Sequence, residues 1–193
     1  MTDDPVAAFD AWFADARGLG LRVPEAMTLA TAAADGAPSA RIVLMKSHGA
    51  DGFVFFTDRR SRKGADLHDN PRAALVFHWE GLGRQVRVEG TVEPVDDDAS
   101  FAYYRTRPRG SQIGAWASHQ SAPIASRAVL EAEVAAVEER FAGVEPPPLP
   151  PHWGGYRVTP ERYEFWTHDD DRLHERIVFR RDGAGWAREL LSP

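Results

Sequence analysis

Gln85-Val86-Arg87-Val88-Glu89-Gly90-Thr91-Val92-Glu93-Pro94-Val95 is the stretch that decides the fold. Val86, Val88 and Val92 fall on one side of an extended chain, and Arg87, Glu89 and Glu93 on the other, because successive strand side chains point to opposite faces. This is the pattern of a half-buried antiparallel strand, with one face on a core and the other in water. Upstream, Ala73 to Trp79 is an apolar run that reads as a buried strand. Met27 to Ala32, a second strand beginning at Arg41 to Lys46, and Phe53 to Thr57 are further strands. They are punctuated by the turns Ala34-Asp35-Gly36-Ala37-Pro38 and Gly49 to Gly52. Downstream, Tyr156 to Trp166 and Arg176 to Leu191 read as strands, with Asp182-Gly183 as a hairpin turn.

Helices fill the gaps. Residues 5–17 place Phe9, Trp12 and Phe13 on one face, and Ser61 to Asp69 is a short helix stopped by Asn70-Pro71. Ala99 to Arg105 and Ser111 to Ser118 are two more. In Ala125 to Phe141, residues Leu130, Val134, Val137 and Phe141 form one stripe at helical spacing. Six or more short antiparallel strands with scattered helices predict a mainly β fold, a barrel with peripheral helices rather than a doubly wound sheet. Val144-Glu145-Pro146-Pro147-Pro148-Leu149-Pro150-Pro151 can be neither helix nor central strand. About forty residues follow it, fewer than a separate core needs, so residues 1–193 are expected to form one domain with 144–151 as a connector inside it.

Composition narrows the function classes. The chain has 193 residues, 43% of them hydrophobic, which is enough for a core, and a formal charge of −6. A net acidic surface is poorly suited to nucleic acid, whose phosphates need cations. The absence of cysteine excludes disulfides, thiolate metal sites and a cysteine nucleophile. The acidic start, Met1-Thr2-Asp3-Asp4-Pro5, has no apolar segment of the secretory type, and no apolar run is long enough to cross a bilayer. A cytoplasmic protein without a membrane partner is expected.

Several chemistries are missing. There is no Walker loop and no nucleophile elbow, and Gly81-Leu82-Gly83 lacks a third glycine and opens no helix, so it is not a dinucleotide fingerprint. His168-Asp169-Asp170-Asp171 with His174 is the best candidate for a metal. A charged run in a turn is more often solvated, and no metal is expected. Arg41, Lys46, Arg62 and Lys63 cluster around strand ends and a helix start. Tyr103, Arg107 and Ser111, spaced by four, would share one helical face. Such a set suits a phosphate, since arginine offers paired charge-assisted donors, although a solvated basic face is the commoner reason for the pattern. Gln85 can bond a polar ring edge or water, and Trp166 can be a stacking platform or a core residue. Arg172, His174 and Arg176 alternate, so in an extended segment they would share one face and repel one another unless an anion or polar ligand lies there.

The chain resembles the pyridoxamine 5′-phosphate oxidase family along nearly its whole length. The resemblance rests on Ala26-Met27-Thr28-Leu29-Ala30-Thr31, Arg41-Ile42-Val43-Leu44-Met45-Lys46, Ser61-Arg62-Lys63-Gly64 and Arg84-Gln85-Val86-Arg87. It continues with Arg107-Pro108-Arg109-Gly110-Ser111-Gln112-Ile113-Gly114-Ala115-Trp116, Gln120-Ser121, Glu164-Phe165-Trp166 and Arg172-Leu173-His174-Glu175-Arg176. It implies an FMN-binding split β-barrel, a homodimer with FMN in the subunit interface, and site groups drawn from both subunits. It implies that Arg41, Ile42, Val43, Leu44, Met45, Lys46, Phe56, Thr57, Arg62, Lys63, Gln85, Gln120, Ser121, Trp166 and Arg176 hold FMN. Lys46, Tyr103, Arg107, Ser111, Arg172 and His174 would hold the substrate, with Arg172 and His174 acting at the reacting carbon. The implied reaction oxidises pyridoxamine or pyridoxine 5′-phosphate to pyridoxal 5′-phosphate, with O2 as acceptor and H2O2 as product.

Three departures stand out. Phe56 replaces the family's usual tyrosine, and Glu175 the usual aspartate. The N-terminal extension common in the family is mostly absent from this sequence, so a lid of that kind is not expected. Two rivals share the fold. One is a phenazine-type oxidase of dihydro-aromatic substrates, which tends to lose the Arg-Gln-Val-Arg and Arg-Pro-Arg-Gly-Ser-Gln stretches kept here. The other is a flavin or pyridoxal-phosphate binding protein without turnover, which would have no use for Arg172 and His174.

Overall fold

The computed structural model describes residues 2–193. Nine strands form one antiparallel sheet: β1 (Ala26–Ala32), β2 (Pro38–Leu44), β3 (Ser47–Gly49), β4 (Gly52–Asp58), β5 (Arg72–Trp79), β6 (Arg84–Pro94), β7 (Trp153–Thr167), β8 (Glu175–Asp182) and β9 (Gly185–Leu191). The order is β2-β1-β5-β6-β7-β4-β3, with the β8–β9 hairpin attached to β7. The mainly β fold with peripheral helices is thus as the alternating pattern predicts.

β7 is the spine of the sheet. Along one edge it pairs with β6 from Tyr156 to Thr167. Its other edge is shared: residues 153–158 pair with β4, and residues 162–167 with β8. The sheet splits at this handover, which gives the split barrel its form. A bulge adds Glu161 to β7 where Glu89 pairs with Arg162 but Gly90 with Pro160. Bulges bend a strand and increase its twist. Glycine is needed opposite, because a Cβ at position 90 would sit 2.0 Å from the Thr159 carbonyl oxygen.

Leu29, Phe55, Leu75, Phe77, Val86, Val88, Val158 and Phe179 pack inside the curl. α1 (Pro5–Gly18) lies over it, started by Asp4, whose carboxylate accepts the Val6 amide, and by Pro5 in the first turn. Phe9 reaches in edge-on to Phe53 and Phe77, so the aromatic face expected of residues 5–17 closes the core.

The other helices sit at the rim: α2 (Arg62–Asp69), α3 (Asp97–Tyr104), α4 (Arg109–Ala117) and α5 (Arg127–Arg140). α5 buries none of its residues, and of the expected stripe only Phe141, just beyond its end, is buried. The connector 144–151 has no regular structure, and Trp116 Nε1 donates to its Pro148 carbonyl (2.8 Å). Among the described residues no helix is long and apolar enough to cross a membrane.

Candidate functional site: a cationic cavity and a distant aromatic cluster

A cavity of about 590 Å³ opens where β2, β4, the start of α2 and the α3–α4 elbow meet. Twelve of the expected residues line it: Arg41, Ile42, Val43, Leu44, Lys46, Phe56, Thr57, Lys63, Tyr103, Arg107, Ser111 and Gln120. Thr106, Pro108 and Trp153 line it as well and were not singled out in the sequence. Trp153 had a readable signal, an aromatic two residues after a proline-rich connector.

The α3–α4 elbow explains how three polar side chains converge. Tyr103, Arg107 and Ser111 do not share one helical face as their spacing predicts. The chain leaves α3 at Tyr104 and re-enters a helix at Arg109, with Pro108 as N-cap, since proline suits a helix start and not its interior. Buried Gln112 clamps the elbow. Its Nε2 donates to the Tyr104 and Arg105 carbonyls (3.2 and 3.3 Å), while the Tyr104 hydroxyl donates to the Gln112 carbonyl (3.1 Å). The three side chains therefore meet from two helices and a turn.

Aromatic rings form the cavity wall. Phe56, Tyr103 and Trp153 form a cluster of near-parallel rings, with Phe56 4.3 Å from Tyr103 and 5.4 Å from Trp153 and the latter two 6.2 Å apart. Lys46 lies over Tyr103 and Arg107 over Trp153 (4.8 Å), a geometry in which ring faces attract cations. The Phe56 ring works as a packing partner for Tyr103.

The cations lack full compensation. Arg107 Nη1 is buried without a hydrogen-bond partner among the described residues. Burial pushes the Arg107 pKa down, and the neighbouring tyrosines push it back up. Buried Lys63 donates to Thr57 Oγ1 (3.0 Å), Ser61 Oγ (3.2 Å) and Gln120 Oε1, all neutral oxygens. Nearby Asp58 is engaged by Arg60 (2.8 Å). Burial, and then the charge of Arg41, lower the Lys63 pKa. A buried charge with neutral partners is costly, and an anionic ligand relieves that cost. These donors fit phosphate groups, and the ring-lined wall fits a flat heterocycle.

α2 delivers Lys63. Ser61 caps the helix, and Gly64 permits its close approach, since a Cβ there would lie 2.0 Å from the Arg59 carbonyl oxygen. Arg62, expected beside Lys63, is exposed and outside the lining. Met45 is also outside it: β2 ends at Leu44 rather than continuing to Lys46, and the Met45 side chain enters the core.

Ser121 is exposed and outside the lining, and the other remaining candidates gather elsewhere. Gln85 pairs with Trp166, and Trp166 with Arg176, across β6, β7 and β8. The His174 ring lies 4.6 Å from Trp166. Arg172, His174 and Arg176 do not lie along one extended face. β8 begins at Glu175, and Arg172 sits in a turn with φ of 66°. Asp169 shapes that turn by accepting the Asp171 and Leu173 amides. The expected mutual repulsion is relieved, because Arg176 donates to buried Glu164 (Nε 2.9 Å) and to the Ser192 carbonyl (3.0 Å). Burial pushes the Glu164 pKa up, but hydrogen bonds from Arg176 and Arg162 hold it below the usual carboxylate value. The His174 Nδ1 accepts the Asp169 amide (3.1 Å), leaving Nε2 to carry the proton of a neutral ring.

Ser121 (φ 73°) and Arg172 are the only non-glycine residues with positive φ among those described. Backbone held in that region costs of order 1–3 kcal/mol and concentrates at functional segments.

None of Gln85, Trp166, Arg172, His174 and Arg176 lines the cavity. Trp153 touches the cavity and Trp166 the cluster, thirteen residues apart on β7, roughly 40 Å of strand.

Comparison with known proteins is consistent across the chain. Residues 17–141 match a family model described as pyridoxamine 5′-phosphate oxidase, and residues 153–193 match one described as the pyridoxine 5′-phosphate oxidase C-terminal dimerisation region. A pyridoxine/pyridoxamine 5′-phosphate oxidase of Sphingopyxis alaskensis is 55% identical, with 100% of this chain and 89% of the relative covered. One from Cupriavidus metallidurans is 56% identical, covering 100% and 91%. Among solved structures, PhzG of Burkholderia lata, in complex with tetrahydrophenazine-1-carboxylic acid, superposes with a TM-score of 0.93 at 33% identity, covering 100% of this chain and 94% of that one. An FMN-binding protein of Nostoc punctiforme (TM-score 0.78, 18% identity, 100% of both chains) shares the fold. The strand pattern, the cationic cavity and full-length similarity to curated relatives agree: this chain belongs to the pyridoxamine 5′-phosphate oxidase family.

Proposed function

We propose that the protein, acting as one domain over 1–193 and as a homodimer, is an FMN-dependent oxidase converting pyridoxamine or pyridoxine 5′-phosphate to pyridoxal 5′-phosphate. The observation that carries this reading is the cavity itself, in which Lys46, Tyr103, Arg107 and Ser111 converge beside Arg41 and Lys63. Two anionic groups have separate sets of donors there: the first four for the substrate phosphate, the last two for FMN. Gln120, Ser121 and the β2 segment complete the cofactor's bed on one subunit. The cluster of Gln85, Trp166 and Arg176 faces it from the partner subunit, bringing Arg172 and His174 with it.

When bound, FMN supplies a hydride acceptor and a path for two electrons to O2. The protein's part is positioning. Lys46 and Arg107 fix the phosphate end of the substrate, and Arg172 and His174 pack over its pyridine ring and hold C4′ in reach of the flavin. For the amine, substrate, O2 and water become pyridoxal 5′-phosphate, ammonia and H2O2.

The test is aerobic turnover of pyridoxamine 5′-phosphate by purified protein with FMN, read as pyridoxal 5′-phosphate absorbance. Formation of the aldehyde with stoichiometric H2O2 supports the reading. A protein that binds FMN and yields no aldehyde refutes it. The superposition on PhzG and the Glu175 variant of the last motif favour a second reading, oxidation of a tetrahydrophenazine carboxylate. Identity of 33% there, against 55–56% to the vitamin B6 oxidases, ranks it below the first.

A further inference from the structure

Arg41 lies on the inner face of an edge strand, where a guanidinium needs an arrangement of partners to be tolerated. The β1–β2 register sets Leu29 opposite Arg41 and Thr31 opposite Ser39. Arg41 Nη1 donates to the Leu29 carbonyl (3.1 Å) and to Thr31 Oγ1 (2.8 Å), and Nη2 donates to Ser39 Oγ (2.6 Å). A guanidinium has five N–H donors. Three are used here, so Nε and the second Nη2 hydrogen make no hydrogen bond among the described residues, and Arg41 lines the cavity.

Behind this arrangement stands Asp66, buried on α2 three residues after Lys63, with its Oδ2 3.7 Å from Arg41 Nη2. Thr31, also buried, donates to the same Oδ2 at 2.6 Å. The direction of this chain is forced by chemistry. Arginine can only donate, so Thr31 Oγ1 accepts from Arg41, and its single proton must go to the carboxylate, which only accepts. Burial lowers the Arg41 pKa, and Asp66 opposes the shift. Neither Thr31 nor Asp66 lines the cavity.

We propose that Asp66 and Thr31 form a relay that aims the Arg41 guanidinium into the cavity, which makes both of them positioning residues for the anionic cofactor. The proposal rests on the reading of Arg41 as a cofactor residue. Polarised chains of this kind hold a donor in one orientation, so FMN meets donors already aimed and pays less to order them.

The experiment measures the FMN Kd of the apoprotein by quenching of flavin fluorescence, with the melting temperature of each apo variant alongside. Thr31→Val keeps the shape and removes the relay, whereas Thr31→Ser keeps the hydroxyl. We expect Thr31→Val to weaken FMN at least about fivefold and Thr31→Ser to stay within about twofold of the parent. In an Arg41→Met background, Thr31→Val should add no further loss, because the effect runs through the guanidinium. A lowered melting temperature with unchanged Kd would mean that Thr31 only supports the fold, and the relay is then wrong. The same fold-loss in both backgrounds overturns it too, since Thr31 would then act by another route. If Arg41→Met itself leaves FMN binding intact, the cofactor reading of Arg41 fails, and the relay falls with it by a different and recognisable result. Asp66→Ala, which removes the acceptor, is expected to match Thr31→Val in Kd, and a Kd within about twofold of the parent would overturn the relay.

Discussion

The two ends of β7 differ in kind. At Trp153 the chain builds a walled cavity, with cations fixed by clamped backbone and stacked rings. At Trp166 it presents a partly exposed group of side chains, Gln85, His174 and Arg176, next to an exposed turn. The cavity is lined by side chains of one chain. The cluster has specific chemistry and nothing in its own subunit to act on. Residues 153–193 match a dimerisation region, and under the proposed homodimer the cluster would act on the cavity of a second copy.

The sharpest way to break this comparison is to mix subunits. Arg107→Ala damages the cavity and Arg172→Ala the cluster, so each homodimer has two damaged sites. A mixed dimer has one site with both parts intact. Random reassociation of equal amounts makes half the dimers mixed, so at substrate near the parent KM, where both variants are slow, about a quarter of the parent activity should return above their residual rates. No recovery on mixing, with mixed dimers demonstrated, would place the two regions in separate functions.

Taken singly, the same substitutions should differ in character. Arg107→Ala is expected to raise KM for pyridoxamine 5′-phosphate at least tenfold, a loss of roughly 1.5–3 kcal/mol for a charged hydrogen bond, with FMN Kd unchanged. Arg172→Ala should reduce kcat with FMN still bound. Equal loss of substrate and FMN binding in Arg107→Ala would merge the two proposed anion sites into one.

Lys63 sharpens the contrast through pH. Its folded pKa lies below that of the unfolded chain, so folding disfavours its charged form. That cost is present in full below the folded pKa, and it disappears as pH rises through the window up to the ordinary lysine value. Apoprotein stability should therefore gain a contribution from Lys63 on the alkaline side, while FMN affinity declines over the same window as the ammonium is lost. Titrating Kd and melting temperature together checks both signs, and Lys63→Met should abolish the two trends. The smallest expected effect is at Arg62. Exposed and outside the lining, it should cost under about 1 kcal/mol of FMN binding on replacement by alanine, as surface charges do. A larger loss would show that Arg62 reaches the cofactor after all.

The sheet was readable from the sequence because period-two alternation in β6 and apolar runs such as β5 report local geometry directly. The cavity was partly readable, since Lys46 and Lys63 lie at element ends and Arg41 within β2. Three features were hidden because they depend on contacts far apart in the chain. The elbow that turns Tyr103, Arg107 and Ser111 onto one spot is set by Gln112. The loss of Met45 to the core follows from where β2 stops. The charge of Arg176 is answered by Glu164, twelve residues away on a neighbouring strand. The reach of β7 was likewise invisible, because spacing along a sequence does not say which edge a strand shares.

Lys63, buried among neutral oxygens, has a consequence for how long each molecule survives. An anion that binds the folded chain there shifts the folding equilibrium by mass action, by about 2.7 kcal/mol when free ligand is a hundred times its Kd. That is about a hundredfold fewer unfolded molecules open to proteases at any moment. If FMN is that anion, cofactor supply would act as a rheostat on the protein's abundance, and a cell short of flavin would keep fewer copies of this chain rather than the same number standing idle.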